Sequence, residues 1–270
     1  MRASNTEDFM RATVQRGLAL TCLLLVAACA SKYPYPPQYV DSYTVSPRSI
    51  PQPPAQGTAE YNAEVREIVA LQASLTPEQI AAIKHEDKIT PDKMLYPVVG
   101  EQYSEANYPV LYDFLRKVAS DSWRIGDDAR DYWKSPRPWY TESAVKLHVE
   151  PIYSYGYPSG HTTTFGSWAY VLADLFPEHG DAFFAHAWSV AGNRIGGGAH
   201  YPHDIRGGKM MAAATYSAMK QVPAYQHDFD AALAEIKAKR GLKKKKCNCL
   251  HGKKADTKKA GHERPAYRMQ

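Results

Sequence analysis

The chain has 270 residues, 44% of them hydrophobic and 23% charged, with a formal net charge of +5. This is ordinary globular composition, enough for one large domain or two small ones. No apolar run reaches the roughly 18 residues that a spanning helix needs, and four cysteines, two of them within the first thirty residues, do not make a disulfide framework.

The longest apolar run, Leu18 to Ala30 broken by Thr21, is of signal-peptide size and follows Arg11 and Arg16. It ends in Val26-Ala27-Ala28-Cys29, the small-small-Cys form of a bacterial lipoprotein cleavage site. Residues 1–30 are therefore read as a signal peptide with lipid on Cys29, although cleavage after Ala30 also satisfies the small-x-small rule. Glu7 and Asp8 sit oddly in a signal n-region, which makes Met10 an alternative start. Export places the mature chain in the periplasm or on the outer membrane of a Gram-negative bacterium. Of the remaining cysteines, Cys247 and Cys249 are one residue apart, a poor bridge and an incomplete metal site.

Residues 31–59 hold seven prolines. Such a segment favours extended conformations and is expected to tether an anchor to a body without folding by itself. From Glu60 the pattern turns helical, with Val65, Ile68 and Val69 at three-to-four spacing. Thr76-Pro77-Glu78-Gln79 predicts a helix start, with Thr as N-cap, Pro in the first turn and Gln three residues after the cap. Thr90-Pro91-Asp92 repeats that signal more weakly. Leu111, Phe114, Leu115 and Val118 mark one helical face, and Ser122 to Trp133 is predicted as the next helix, ended by Pro136 and Pro138.

Residues 139–157 have no clear period and read as a loop, in which Tyr153, Tyr155 and Tyr157 suit either a short strand or a pocket wall. Phe165, Trp168, Ala169, Leu172 and Phe176 predict a helix, and Phe184, Ala187, Trp188 and Ala191 predict another ending near Arg194. Gly196-Gly197-Gly198 breaks the pattern. Pro202 opens a helix running through Met219, and one more is predicted from Gln226 to Lys239. Strand signals are scarce, so the body, residues 60–240, is mostly α.

Charge is unevenly spread. Residues 237–270 carry 13 basic and 2 acidic side chains, and the rest of the chain carries 20 and 26. The segment 241–270 is expected to be a disordered basic tail, with contact to an anionic surface as the alternative.

Three segments carry the chemistry: Arg130 with Arg137-Pro138, then Pro158-Ser159-Gly160-His161, then Asn193-Arg194 followed by His200 and Asp204. Three arginines, two histidines and a carboxylate suit a phosphate ester. Guanidinium forks meet phosphoryl oxygens in pairs and stay charged. Ser159 and Gly160 open a helix, where backbone N–H groups and the Ser hydroxyl are expected to face an anion, and Gly160 lets it come close. One histidine can attack phosphorus while the other protonates the leaving oxygen. Asp204 can fix the His200 tautomer, making His200 the better nucleophile and His161 the better acid. No metal or other cofactor is required. One imidazole must start neutral and one protonated, which predicts a mildly acidic optimum.

These segments resemble the signature of the class A bacterial non-specific acid phosphatases, within the type 2 phosphatidic acid phosphatase and vanadium haloperoxidase superfamily. That signature runs Lys-x6-Arg-Pro, Pro-Ser-Gly-His and Ser-Arg-x5-His-x3-Asp, and here Arg130 and Asn193 replace its Lys and Ser. The resemblance implies an all-α bundle that hydrolyses phosphomonoesters without metal. It also implies a phosphohistidine at His200, orientation by Asp204, proton donation by His161, and phosphoryl contacts from Arg130, Arg137, Ser159, Gly160 and Arg194. Lys134, one turn past Arg130, is the alternative cation.

Other readings remain open. A lipid-phosphate or lipopolysaccharide phosphatase at the envelope surface fits the same site, and a vanadate-dependent haloperoxidase fits it less well. A non-catalytic lipoprotein would need only the arginines. A metal site of His200, His203 and Asp204 is disfavoured, because adjacent helical positions point to different sides. Homo-oligomerisation is left open.

Overall fold

The computed structural model describes residues 36–250, Ser42 apart. Residues 1–35, on which the expected signal segment and Cys29 fall, and residues 251–270 lie outside the described residues, as do the side chains of Cys247 and Cys249. Among the described residues the elements are helices: α1 Ala59–Ala73, α2 Pro77–His85, α3 Pro91–Val99, α4 Pro109–Trp133, α5 Pro138–Thr141, α6 Gly160–Leu175, α7 Gly180–Gly196, α8 Pro202–Met219 and α9 Pro223–Leu250. Tyr153, Tyr155 and Tyr157 form no strand.

Helix starts follow the local chemistry. Thr76 accepts from Gln79 N–H while the Gln79 side chain accepts from Thr76 N–H, a complete capping box. Proline occupies the first turn of α2, α3, α4, α5 and α8, where its missing N–H costs nothing.

Helix α6 is the axis of the body. Thirteen of its sixteen residues are buried, and it packs against α4, α7 and α8. A helix buried on all sides cannot show a clean amphipathic stripe. Small residues bring its neighbours close. A Cβ on Gly166 would lie 2.7 Å from the Ala212 methyl, and one on Gly208 would lie 2.7 Å from Thr162 Cβ. The start of α8 is thereby pressed against the start of α6, which is where the site forms.

Two features depart from the sequence reading. Helix α4 is continuous through residues 118–122: the Ser122 hydroxyl donates to the Val118 carbonyl, so a polar side chain that resembles a break stays inside the helix. Helix α9 runs on to Leu250, so residues 241–250, expected in the tail, continue a helix.

The proline-rich segment differs most. From residue 38 it lies along the body as a strap, with Val40, Val45 and Ile50 buried in the main core. Burying three such side chains contributes roughly 5 kcal/mol before the chain entropy is counted. The strap has little regular structure, so its amides need partners. The buried Asp121 carboxylate supplies them, accepting from Gln38, Tyr39 and Val40 N–H at 2.8–3.0 Å. Asp121→Ala would strand those donors and should lower the unfolding free energy by about 3 kcal/mol in urea titration. Asp121→Asn, which keeps one acceptor oxygen, should lose less. Equal stability of Asp121→Ala and the parent would mean that the strap is not held this way.

Candidate active site

The glycine turn after α7 carries the chain from Arg194 to His200. Gly198 has φ +72, and a Cβ there would meet the Lys146 carbonyl at 2.2 Å, so glycine is required. Ala199 and His200 N–H both donate to the Arg194 carbonyl, at 3.1 and 3.3 Å. The spacing that relates the Arg and the His is thus one compact turn.

His200 is buried, with Nδ1 3.0 Å from Asp204 Oδ2 and Nε2 2.9 Å from Arg137 Nη1. A guanidinium only donates. Nε2 therefore carries the lone pair, and Nδ1–H donates to Asp204. Burial first, and the Arg137 charge second, push the His200 pKa down to about 3. Both the burial and the Arg137 donor favour a neutral ring.

Arg137 spends all five donors. Nη1 donates to His200 Nε2 and the Ala199 carbonyl, Nε to the Ser154 carbonyl, and Nη2 to Ser154 Oγ and the Tyr155 carbonyl. In this state Arg137 orients the imidazole and pins the 154–155 loop. An incoming phosphoryl oxygen would take over the Nη1 donor beside His200.

Arg194 differs. Nη1 pairs with Asp87 Oδ1 at 2.7 Å, while Nε and Nη2 are buried without a hydrogen-bond partner. A buried unmade hydrogen bond costs about 1–3 kcal/mol, so these two donors are built to receive an anion. Arg130 is also buried, with Nη2 2.9 Å from Asp127 Oδ1, Nη1 3.4 Å from the Pro158 carbonyl, and the guanidinium over the Trp123 ring. A Cβ on Gly160 would lie 3.0 Å from Arg130 Nη1 and 3.1 Å from the Trp123 ring. Glycine is what admits both to the start of α6. Lys134 is exposed and ends α4 as its left-handed C-cap, so Arg130 is the cation at the site.

Ser159 is the N-cap of α6. Its Oγ accepts from Thr162 N–H at 3.3 Å and from the Thr162 hydroxyl at 3.0 Å, and its own N–H donates to the Asp204 carbonyl at 3.0 Å. The expectation that this N–H faces an anion is corrected: Ser159 joins the two motif turns to each other. His161 Nε2 donates to the Asp87 carbonyl at 2.9 Å, and burial first and Arg194 second hold its pKa well below the usual value. Both shifts run against the expectation of one charged imidazole in the free site, because burial and then the arginines oppose a proton on either ring.

Asp204 ties these parts together. Its Oδ2 accepts from His200 Nδ1 and Tyr201 N–H, and its Oδ1 lies 3.2 Å from His203 Nε2. Burial opposes its charge, but the hydrogen bond from His200 and the adjacent His203 imidazolium prevail and hold the carboxyl below its ordinary range. His203 is bracketed by Asp204 and Glu64, and its Nδ1 is 2.5 Å from Glu64 Oε2. Burial opposes its charge too, yet the two carboxylates raise it to about 9. The two residues therefore do meet, unlike the sequence expectation, as an ion pair.

Sequence reasoning missed Asp87, Glu86, Glu64, Asp127 and Trp123. Glu86 accepts from Asn193 Nδ2 at 2.7 Å, which fastens the turn after α2 to α7. Glu64 had one readable signal, a carboxylate in the buried stripe of Tyr61 and Ile68. Asp87 had none, since it sits in a short turn without a motif.

The PAP2 superfamily model matches residues 125–228, a span that contains every site residue expected from the sequence. The chain is similar to a non-specific acid phosphatase of Salmonella typhimurium, 24% identical over 155 residues, 56% of this chain and 62% of that protein. It is 42% identical over 57 residues to a lipid A 1-phosphatase of Rhizobium johnstonii, 21% of this chain and 23% of that one. It thus spans less than two thirds of the length of either relative. A bacterial vanadium-dependent iodoperoxidase superposes with a TM-score of 0.52 at 18% identity, over 70% of this chain and 60% of the other, which shows the same all-helical fold.

The His203 pair makes stability depend on pH. Its folded pKa is raised above the ordinary 6.5, so its contribution is complete below that pH and fades as pH rises through about 9. The shift corresponds to about 3 kcal/mol. The melting-temperature gap between the parent and His203→Gln should be wide at pH 6 and shrink by pH 10. A gap that grows with pH would contradict the charged assignment.

Proposed function

We propose that this chain, with its PAP2 superfamily domain at residues 125–228, is a metal-independent acid phosphatase that works through a phosphohistidine at His200. The observation that carries the reading is the His200 arrangement: an unprotonated Nε2 that accepts from Arg137, with Nδ1–H committed to a buried carboxylate. Nε2 attacks phosphorus as the P–O bond to the alcohol breaks, and Asp204 stabilises the positive charge that develops on the ring. Arg194, Arg130 and Arg137 take the equatorial oxygens, where phosphoryl-transfer catalysis is mostly positioning and charge stabilisation. His161 delivers a proton to the leaving oxygen. It then takes one from the water that attacks phosphorus and regenerates His200.

The proton's origin follows from the free site. Burial and the Arg194 charge disfavour a proton on His161 there, so in this scheme the proton enters with the substrate monoanion. The bound phosphate then offsets the arginine field and lets His161 hold that proton. The second ionisation of a phosphomonoester lies near pH 6. A plot of kcat/KM against pH, which reports free enzyme and free substrate, should therefore fall above about 6. Its acid limb should lie near 3, where His200 is protonated. A rate that climbs to pH 8 would overturn this scheme.

His200→Ala should abolish turnover, and Asp204→Asn should cut kcat by about 10³-fold or more, by analogy with removal of a triad carboxylate. Quenching with labelled substrate should trap an alkali-stable, acid-labile phosphoenzyme in the parent only. Chelators should leave activity intact. Near-normal turnover by His200→Ala would sink the proposal.

A second reading, a lipid-phosphate phosphatase at the envelope surface, is favoured by the short match to a lipid A 1-phosphatase. Lipid on Cys29 and a periplasmic location belong to the same proposal.

A further inference from the structure

A cleft of about 930 Å³ opens beside the site between α3, α4 and the loop carrying Ile152, and His161 and Asp87 form its inner end. His200, Arg137 and Arg194 are not in its wall. An in-line displacement sends the leaving oxygen away from the attacking atom, hence away from His200 and towards the acid, His161. The cleft lies on that side.

The apolar part of its wall is Ile89, Pro91, Ala119, Trp123, Ile152 and Trp168. Trp123 joins the two regions, because it carries the Arg130 guanidinium on its ring and is 39% exposed towards solvent. The rim is ionic but self-paired. Arg116 meets Glu105 at 2.5 Å, and Lys117 meets Asp113 and Asp228 at 2.9 and 2.8 Å. Asp92 takes the Tyr112 hydroxyl. With Asp87, the wall and rim hold four carboxylates against two cations. A second anionic group on the substrate would find net repulsion; Gln38, Thr90, Ser120 and Thr164 also line the cleft, but most of its exposed surface is apolar. An apolar group would find the walls it needs.

We propose that this cleft is the leaving-group pocket and that it takes an uncharged, largely apolar alcohol, so that the substrates are alkyl or aryl phosphomonoesters. The proposal rests on the phosphatase reading above and narrows its substrate class.

The test is a series of methyl, butyl and hexyl phosphates with the full chain, beside glucose 6-phosphate and a nucleoside monophosphate. Burial of each methylene should raise kcat/KM by about two- to fourfold, and hexyl phosphate should exceed the sugar and nucleotide esters by at least about tenfold. Ala119→Phe, which fills the cleft, and Ile152→Asn, which makes its wall polar, should each flatten the series and leave methyl phosphate within about twofold of the parent. A flat series in the parent, with methyl phosphate turned over, overturns the pocket and spares the phosphatase. If no ester is turned over, the phosphatase reading fails on its own account. Calorimetry with methyl- and hexylphosphonate then still decides the cleft: tighter binding of the longer chain supports it, and equal binding overturns it.

Discussion

The site depends on one buried carboxylate. The Asp204 side chain fixes the His200 tautomer, and its backbone carbonyl takes the Ser159 N–H. One residue thus locks the turn that carries His200 to the turn that carries His161. A buried charge is expensive to leave unpaired, and breaking such a pair costs about 3–5 kcal/mol. His203, itself held by Glu64, supplies the counter-charge from behind. The placement of His200 is therefore set by interactions behind its ring, with α1 contributing through Glu64.

The remaining charges form a balance with a deliberate gap. Arg130 has Asp127, Arg194 has Asp87, and His203 has Glu64 and Asp204. Each carboxylate restrains a cation without saturating it, and Arg194 keeps two buried donors in hand. Asp87 does double duty, since its carbonyl also takes the His161 N–H. The turn after α2 consequently closes over His161 and Arg194 at once, and Glu86 fastens that turn to Asn193. Asparagine suits this position because it donates to a carboxylate.

The reacting groups were legible because their chemistry depends on local spacing. His200 and Asp204 are one helical turn apart, Ser159 caps the helix that begins with Gly160, and Arg194 is separated from His200 by a glycine turn. Helix starts were legible for the same reason, as proline and threonine act within a few residues. What escaped was non-local. Asp87 meets Arg194 across 107 residues, Glu64 meets His203 across 139, and Asp121 meets the strap across more than 80. No period or motif encodes such pairings. Helix α4 misled for a related reason, since polar residues in its middle read as a break when they face partners from elsewhere in the chain.

The strap carries the same lesson into function. Proline-rich sequence reads as a tether because it cannot nucleate structure, yet a chain laid on a surface gains from having few N–H groups to satisfy. Here the donors that remain go to Asp121, while the carbonyls of Pro47 and Pro51 are taken by Trp133 Nε1 and the Tyr157 hydroxyl. Tyr157 directly precedes Pro158 of the Pro-Ser-Gly-His turn, and Gln38 at the strap's beginning lines the cleft beside His161. The segment that leads in from the N-terminus thus buttresses the turn that carries His161 from behind and forms part of the cleft wall in front. A change in how that segment is anchored would be felt at both places through packed contacts, which a free tether would not transmit.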